Sequence, residues 1–325
     1  GGVAADVDAN ITKSLRFTRG DSAHLIRTPS SAGNRRTFTI SFWIKRTGLG
    51  TDQSIFSTGT SASLNGNTNI KFETDNAFRV VPFDLSGSGH ELKTTAVFRD
   101  PGSFFHCVIA YDTTQATAAN RAKIYINGVE AALSVANYPS QNAELGVNSN
   151  IAQVIGRYNY ATTNYLDAYV ADFYLIDGSQ LDPTSFGAFD DNGVWQASGY
   201  SGTFGTNGFH LLDFANEATI GHDSSGNEND FTANNLNTGG TNAHISGSAS
   251  PSGKSGFQDS YPGHYALDGS DTSQAAANYS AGDTTTVTVT FDPAITAGST
   301  LTAKIYQYQT YHSMKVNSGS FVTAS

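Results

Sequence analysis

The sequence predicts an all-β protein whose larger part is a two-layer β-sandwich. In residues 37–45, T-F-T-I-S-F-W-I-K, apolar side chains alternate with polar ones, and a period of two is typical of a half-buried strand. Residues 104–111, F-F-H-C-V-I-A-Y, are apolar on both faces, which predicts a central strand of a sandwich. The composition agrees, because 33 glycines and 20 phenylalanines accompany only 14% charged residues, as in chains with many turns between aromatic-rich strands.

The charge balance and the cysteine count exclude several classes of protein. The net charge is −10 with no run of Lys or Arg, so we do not expect binding to nucleic acid through counterion release. Cys107 is the only cysteine; it allows no intrachain disulfide and fits a small buried hydrophobe. No apolar run approaches the roughly 20 residues of a membrane-spanning helix, so membrane insertion is not expected. Because the chain begins Gly1-Gly2 without Met, we expect it to be processed or excised from a longer protein.

Two features near the N-terminus need interpretation. Two short strands are predicted on either side of Gly20-Asp21, where residues 19–21 also spell the integrin-binding tripeptide R-G-D. We interpret these residues as an ordinary hairpin turn. The second feature is Trp43, which lies on the polar face of the strand at residues 37–45. Because that face is not fully polar, we expect a second layer or a ligand to cover part of it.

Alternation and turn signals predict further strands, at residues 54–59, 70–72, 77–83, 122–126, 150–156, 166–176, 208–214 and 229–236. Residues 64–69 are rich in Asn and Gly and are predicted as a loop. Asp75-Asn76 and Asn127-Gly128 are predicted hairpin turns, the second of type I′. Helix is expected only as a turn or two after Asp182, which is placed as an N-cap before Pro183.

Composition shifts at residues 237–256, which are Gly, Ser, Thr and Asn with almost nothing to bury. We interpret this stretch as a linker. The chain is thereby divided into an N-terminal arm (1–13), a large domain (14–236), the linker and a small β-sandwich domain (257–325). Strands are predicted in the small domain at residues 286–291, 301–308 and 314–316. No closing strand is evident before Ser325, so we expect this domain to be incomplete.

Three stretches of the large domain resemble the laminin G-like family of the concanavalin A-like jelly rolls. They are F-T-I-S-F-W-I-K (38–45), K-I-Y-I-N-G-V (123–129) and Y-L-D-A-Y-V-A-D-F-Y-L-I-D-G (165–178). The stretch D-S-S-G-N-E-N-D (223–230) is similar to the family's acidic-glycine loop, which usually precedes the first strands, so the order looks circularly permuted. The resemblance implies a laminin G-like jelly-roll sandwich over residues 14–236. It implies little about function, because this fold hosts lectins, hydrolases, lyases and structural modules.

Other stretches resemble virion structural and tail-fibre proteins of marine bacteriophages, especially cyanophages. They are residues 24–38, 177–187, 205–214 and 223–232. Residues 265–273 are similar to discoidin-like carbohydrate-binding sandwiches. This resemblance implies a non-catalytic virion protein of a tailed phage, in a tail fibre or appendage, that recognises host surface polysaccharide. It also implies assembly in the bacterial cytoplasm, localisation to the virion, contacts with other virion proteins and, by analogy with fibres, a homotrimer. Two alternatives stay open: a purely structural capsid decoration or joining protein, and a secreted glycan-active enzyme or its carbohydrate-binding module.

A glycoside hydrolase with this fold would usually need two carboxylates a few ångströms apart. The related glucanases carry a Glu-x-Asp-x-Glu strand, which this sequence lacks. The nearest acidic alternation, Glu73-Thr74-Asp75, falls at a predicted turn, and Asp167 and Asp172 fall on opposite faces of one predicted strand. The eight histidines are scattered and give no support for a zinc site. We therefore do not expect catalysis.

Oxygen-bearing side chains cluster at one Gly-containing loop, at Asp223, Asn227, Asn229 and Asp230. Carboxylate and amide oxygens are the ligands that Ca²⁺ prefers, so these residues predict a Ca²⁺ site. Their spacing is not that of an EF-hand. Asx turns in a tight loop explain the same residues without a metal, and both interpretations stay open.

Sugar binding needs exposed aromatic planes with amide or charged side chains beside them. Eight loop residues have these properties and are predicted to bind glycan: Arg157, Tyr158, Asn159, Tyr160, Asn164, Tyr165, Trp195 and Tyr200. The best candidate is the loop of residues 157–165, which offers three tyrosine rings, two amides and one guanidinium. Tyrosine is also common at subunit interfaces, so the same residues fit an interface.

Overall fold

The computed structural model describes residue 11, residues 13–236 except 61, 213 and 215–218, and the backbone of residues 313–315 and 321–323. The chain divides into two units, Gly1–Gly239 and Gly240–Ser325. The predicted linker and the strands predicted at residues 286–291 and 301–308 lie outside the described residues. Among the helices that are described, none is long and apolar enough to cross a membrane.

The described residues form nineteen strands in chain order: β1 (Leu15–Phe17), β2 (His24–Arg27), β3 (Thr37–Arg46), β4 (Gln53–Thr60), β5 (Ser63–Phe72), β6 (Ala77–Pro82), β7 (Glu91–Val97), β8 (Phe105–Asp112), β9 (Ala122–Ile126), β10 (Val129–Glu130), β11 (Leu133–Asn137), β12 (Gln153–Ile155), β13 (Ala168–Asp177), β14 (Gly187–Phe189), β15 (Trp195–Ala197), β16 (Phe209–Leu211), β17 (Thr232–Asn234), β18 (Ser313–Lys315) and β19 (Phe321–Thr323). Helix in this part of the chain is confined to three 3-10 turns, Arg19–Asp21, Ala118–Asn120 and Pro183–Ser185. The prediction of an all-β chain is confirmed.

Two large antiparallel sheets build the first unit, and β14 and β15 pair in a separate two-stranded sheet. The seven-stranded sheet has the order β1-β13-β3-β8-β9-β10, and β16 pairs with a second segment of β13. The eight-stranded sheet has the order β11-β7-β6-β5-β4-β12-β2-β17. In the second unit β18 and β19 pair antiparallel, and β18 is the strand predicted at residues 314–316.

The core lies between the two sheets. Phe38, Ile40, Phe42 and Ile44 of β3 are all buried in it, as the alternation predicts. The ring of Phe173 on β13 lies 5.2 Å from that of Phe42 and 6.1 Å from that of Phe56, which belongs to the other sheet. A fully buried side chain of this size stabilises a fold by about 1.5–3 kcal/mol. These contacts across the layers make the unit a β-sandwich.

A segment of the chain also covers part of the outer face of the seven-stranded sheet, as expected from Trp43. We call residues 178–205 the covering segment. Its Phe186 packs with Val108, Tyr174 and Ile176 of the sheet in a second apolar cluster. The Thr39 hydroxyl of β3 donates to the Ser179 carbonyl and accepts from the Leu181 N–H. Part of this polar-patterned face is therefore buried under a second layer.

The predicted turns are found where the backbone needs a left-handed conformation. Asn127 and Gly128, between β9 and β10, have φ of 47° and 81°, the signs required by a type I′ hairpin turn. Asn76, between β5 and β6, has a φ of 69°. The Asp182 carboxylate accepts a hydrogen bond from the Thr184 N–H and caps the 3-10 turn after it, so the predicted N-cap is confirmed.

Two predictions about local structure are wrong. The strands on either side of Gly20-Asp21 do not form a hairpin, because β1 pairs with β13 and β2 pairs with β12 and β17 in the other sheet. The connection between them passes from one layer to the other. Residues 64–69, predicted as a loop, lie in β5, where pairing with both β4 and β6 holds them extended. Tertiary pairing overrides the weak strand propensity of Asn and Gly here.

Candidate functional site

The loop of residues 157–165 joins β12 of one sheet to β13 of the other and carries six of the eight predicted glycan-binding residues. The N–H of Tyr158 donates to the Thr163 carbonyl at 2.9 Å, and the Thr163 N–H donates back at 3.3 Å. Thr162 and Asn164 have φ of 52° and 54°, which allows the chain to turn sharply between them. The loop is therefore a small hairpin closed by backbone hydrogen bonds.

Ser57 of β4 fastens this loop to the eight-stranded sheet. Its hydroxyl donates to the Arg157 carbonyl at 2.8 Å and accepts from the Asn159 N–H at 3.0 Å. The Asn159 amide donates to the Gly59 carbonyl at 2.6 Å and accepts from Arg157 Nη2 at 3.1 Å. Both ends of the Asn159 side chain are thus engaged within the protein, and its contribution is to hold the loop in place.

The ring pair of Tyr158 and Tyr160 is the main surface of the loop. The two centroids are 5.9 Å apart and the planes meet at 39°, and both residues are half-buried. Burial, and then the neighbouring Tyr160, raise the pKa of Tyr158, so its hydroxyl stays protonated at neutral pH. The ring of Tyr165 lies 6.1 Å from that of His24. The arrangement presents two phenol rings together, each with a hydroxyl that donates and accepts hydrogen bonds.

Trp195 and Tyr200 do not belong to this surface, and the prediction that Trp195 is an exposed loop aromatic is wrong. Trp195 lies in β15, is 7% exposed, and its Nε1–H donates to His106 Nδ1 at 3.0 Å. The Tyr200 hydroxyl donates to the Thr203 carbonyl, and its ring packs 5.4 Å from that of Phe186. Both residues belong to the covering segment, which folds back on the seven-stranded sheet, buries Trp195 and partly buries Tyr200.

His106 is a residue whose role the sequence did not reveal. Its ring stacks on that of Trp43, with centroids 5.0 Å apart, and lies nearly parallel to that of Trp195, with centroids 6.0 Å apart. Burial lowers the pKa of His106 to about 3, so the imidazole is neutral. An indole N–H only donates, so Nδ1 accepts from Trp195 and the proton sits on Nε2, which donates to the Ser41 hydroxyl at 2.8 Å. His106 therefore joins the covering segment to the sheet.

The acidic loop after β16 is held together by its own hydrogen bonds. Asp223, only 2% exposed, accepts from the backbone N–H groups of His210, Ser225 and Asn229 and from the Ser225 hydroxyl. Asp230 accepts from the Asp223 N–H at 2.7 Å. These bonds explain the carboxylates without a cation. In the described part of the chain, no group of three or more His, Cys, Asp or Glu is placed to hold a metal ion.

The two asparagines of this loop are engaged as well. The Asn227 amide donates to the carbonyls of Gly205 and Gly208. The Asn229 amide donates to the Gly208 carbonyl, and its oxygen accepts from Arg27 Nη2 at 2.6 Å. The four predicted ligands thus lie on one loop, and the Ca²⁺ site stays a prediction.

A second polar cluster lies where β13 is bulged, and sequence reasoning missed it. Asp172 has a φ of 50° and is buried, and its carboxylate lies 2.7 Å from His210 Nε2. The Tyr174 ring stacks on His210 with centroids 3.9 Å apart. No sequence signal indicates this cluster, because the bulge that brings Asp172 to His210 depends on how β13 pairs with β3 and β16.

Comparison with known proteins supports the fold. The family model described as the Concanavalin A-like lectin/glucanases superfamily matches residues 19–182. That match covers half of the chain and includes the strands from β2 to β13. No curated protein matches the chain.

Similar solved structures include three domains, each at low identity. A SAP-like pentraxin from Limulus polyphemus is 17% identical, with 52% of this chain and 76% of that one covered and a TM-score of 0.37. The CBM40 of the Ruminococcus gnavus IT-sialidase, bound to α2,3-sialyllactose, is 13% identical, with 49% and 89% covered and a TM-score of 0.34. Domain 4 of AbnA, a GH43 extracellular arabinanase from Geobacillus stearothermophilus, in complex with arabinotriose, is 19% identical, with 57% and 79% covered and a TM-score of 0.38.

Proposed function

We propose, since this chain belongs to the Concanavalin A-like lectin/glucanases superfamily, that its large domain is a non-catalytic module that recognises glycan. The observation that carries this proposal is the Tyr158–Tyr160 ring pair, with centroids 5.9 Å apart, on a loop fastened to the sheet by Ser57. Aromatic rings with polar tips present an apolar plane and hydrogen-bonding groups at the same surface, and a sugar ring has the complementary pair of features. The Arg157 guanidinium beside the rings adds a charge-assisted contact for an acidic sugar.

The hydrogen bonds of Ser57 and Asn159 matter for affinity. A loop that is already held in its binding conformation loses little conformational entropy when a ligand arrives. The same bonds keep the two tyrosine rings beside each other in the absence of ligand. We therefore expect the loop to bind as a preformed surface.

The non-catalytic part of the proposal has its own support. The acidic pair that lies nearest in sequence, Glu73 and Asp75, is tied into ion pairs with Lys93. Burial acts against ionisation of Glu73, but hydrogen bonds from Lys93, Arg79 and Lys71 lower its pKa to about 2. A carboxylate that stays ionised at neutral pH cannot protonate a glycosidic oxygen. Incubation with host polysaccharides should therefore release no reducing ends.

For the biological setting, we propose a virion protein of a tailed phage that acts as an adhesin in a tail fibre or appendage. This rests on the resemblance of residues 24–38, 177–187, 205–214 and 223–232 to virion structural and tail-fibre proteins of marine bacteriophages. Electron microscopy of virions labelled with antibody to this chain should show label at the tail. Label on the capsid would favour a decoration protein instead, and a particle without label would contradict a virion role altogether.

Glycan recognition is tested by screening the intact protein against surface polysaccharides of the host. The double variant Tyr158→Ala/Tyr160→Ala should lose binding by at least about tenfold, the effect of losing roughly 1.4 kcal/mol of contact. Tyr138→Ala is the control, because Tyr138 follows the edge strand β11, four strands away from β4, to which the loop is fastened. Equal binding by the double variant and the control would exclude this loop as the glycan-binding site.

A second candidate function, a purely structural virion protein, is favoured by one patch of apolar side chains. Val129, Phe189 and Val194 are 60%, 52% and 53% exposed. They surround Trp195, whose ring lies 4.9 Å from that of Phe189 and contacts the backbone of Gly128. Such a patch fits contact with another subunit or another virion protein.

A further inference from the structure

A row of alternating cations and aromatic rings crosses the outer face of the seven-stranded sheet. Arg16 on β1 is the cross-strand partner of Tyr169 on β13, and Tyr169 is the partner of Lys45 on β3. Phe104 directly precedes β8, the next strand, and is 37% exposed. Lys45 lies two residues from Trp43, so the row is on the same face as Trp43. We call these four residues the cation–ring row.

The two positive charges both lie over one ring. The Arg16 Cζ is 4.9 Å from the centroid of Tyr169, and the Lys45 Nζ is 5.0 Å from it. Lys45 Nζ also lies 5.5 Å from the centroid of Phe104. Among the described residues, the Arg16 guanidinium makes one hydrogen bond, from Nε to the Phe17 carbonyl. Within the described residues, neither cation has a carboxylate partner.

On the eight-stranded sheet, by contrast, several lysine and arginine side chains are paired with carboxylates. There Lys71 pairs with Asp52 at 2.8 Å, Lys93 pairs with Glu73 at 2.6 Å, and Arg79 pairs with Glu91 at 2.9 Å. The net charge of the chain is −10, so carboxylates are plentiful. Packing of long stems over an aromatic ring explains where the Arg16 and Lys45 side chains lie. It does not explain why these two charges lack an anion when Lys123, on the same face, is paired with Glu130.

We propose that the cation–ring row binds acidic polysaccharide. Carboxylate or sulfate groups of the polymer would pair with Arg16 Nη and Lys45 Nζ, which the Tyr169 ring holds side by side, and a sugar ring would lie against the exposed Phe104. Neighbouring strands are about 4.8 Å apart, so four positions on adjacent strands extend over about 14 Å, enough for an oligosaccharide segment. The inference rests on the proposed function in that the domain recognises glycan, but it uses a different surface from the Tyr158–Tyr160 loop.

The test uses the full chain and three polymers: polygalacturonate, which carries carboxylates, heparin, which carries sulfates, and neutral dextran. The wild type should bind one or both acidic polymers, more weakly as salt rises, because salt screens exposed charges. Arg16→Gln/Lys45→Met should lower this affinity by at least about tenfold and remove most of its salt dependence. Lys45→Arg should retain binding, and the melting temperature of each variant confirms folding.

Lys123→Met is the matched control, because Lys123 lies on the same sheet but is paired with Glu130 at 2.9 Å. It removes one positive charge and should leave binding unchanged. The inference is overturned if neither acidic polymer binds at low salt, if Arg16→Gln/Lys45→Met binds like the control, or if duplex DNA binds as tightly through the same two residues. The Tyr158→Ala/Tyr160→Ala variant separates the two proposals: it should keep acidic-polymer binding even where it loses the host glycan.

Discussion

A single buried imidazole connects the covering segment to the sheet, and its chemistry is set by its neighbours. His106 has both nitrogens engaged, by the indole N–H of Trp195 and the hydroxyl of Ser41. Its pKa falls to about 3 from 6.5 because burial disfavours the charged form. The unfolded chain therefore binds a proton below pH 6.5 that the folded chain does not bind until about pH 3.

This difference predicts how stability depends on pH. The contribution of neutral His106 is fully present above pH 6.5 and is lost as the pH falls towards 3. The loss is about 1.4 kcal/mol per pH unit. Between pH 6.5 and 4, urea unfolding of the wild type should lose about 3 kcal/mol more free energy than unfolding of His106→Gln does. Parallel pH profiles for the two proteins would show that His106 titrates normally.

Asp223 is the second residue on which local structure depends. It accepts four hydrogen bonds while nearly fully buried, so Asp223→Ala leaves several N–H groups without partners. We expect a loss of about 3 kcal/mol in the free energy of unfolding. Asp191→Ala, at an exposed position, should change it by less than about 0.5 kcal/mol.

Adding or removing Ca²⁺ distinguishes the two interpretations of residues 223–230, a Ca²⁺ site or a loop held by hydrogen bonds alone. If hydrogen bonds alone hold it, the effect of Asp223→Ala is the same with Ca²⁺ and with EDTA. A rise in melting temperature on adding Ca²⁺ to the wild type, absent in the variant, would instead confirm the predicted Ca²⁺ site.

Among the elements, the β9–β10 hairpin shows how a turn and a packing contact combine. Gly128 has a φ of 81°, and a Cβ there would lie 2.3 Å from the Trp195 ring. Gly193 has a similar φ of 76°, but a Cβ there would meet nothing within 4 Å. A substitution at either glycine would therefore strain the backbone to a similar extent, but only a side chain at residue 128 would also clash with Trp195.

The matched substitutions separate these effects. Gly193→Ala should destabilise the protein by about 1 kcal/mol, the cost of a left-handed residue with a Cβ. Gly128→Ala should destabilise it by about 2 kcal/mol more, because the Trp195 ring must move and overpacking of this kind is costly. Thermal unfolding measures both effects. Equal destabilisation by the two substitutions would mean that the Trp195 ring can move away from residue 128 at little energetic cost.

For the whole molecule, we propose a homotrimer that uses the apolar patch of Val129, Phe189 and Val194. Light scattering should give three times the chain mass of 34.3 kDa. Phe189→Asp should shift the protein towards monomer, because burying a charge in an interface is unfavourable. Val97→Asp, at a side chain that is 45% exposed on β7, is the control. A monomer mass for the wild type across micromolar concentrations would contradict the proposed homotrimer.

The sequence by itself determined which faces of the strands are apolar and where the chain turns. The alternation in residues 37–45 placed Phe38, Ile40, Phe42 and Ile44 in the core, and Asn127-Gly128 indicated a type I′ turn. Both follow from local geometry, because side chains alternate across a strand and few residues tolerate positive φ. The likeness of three stretches to concanavalin A-like jelly rolls led to the same fold.

Only the tertiary structure decided which strands are neighbours and which rings are exposed. It separated β1 from β2 into different sheets, buried Trp195 against His106, and aligned Arg16, Tyr169 and Lys45 from three strands far apart in the chain. A strand's alternation shows which of its faces is apolar but not which strand lies beside it or what covers that face. Those depend on hydrogen bonds and contacts between distant segments, and the cation–ring row exists only through them.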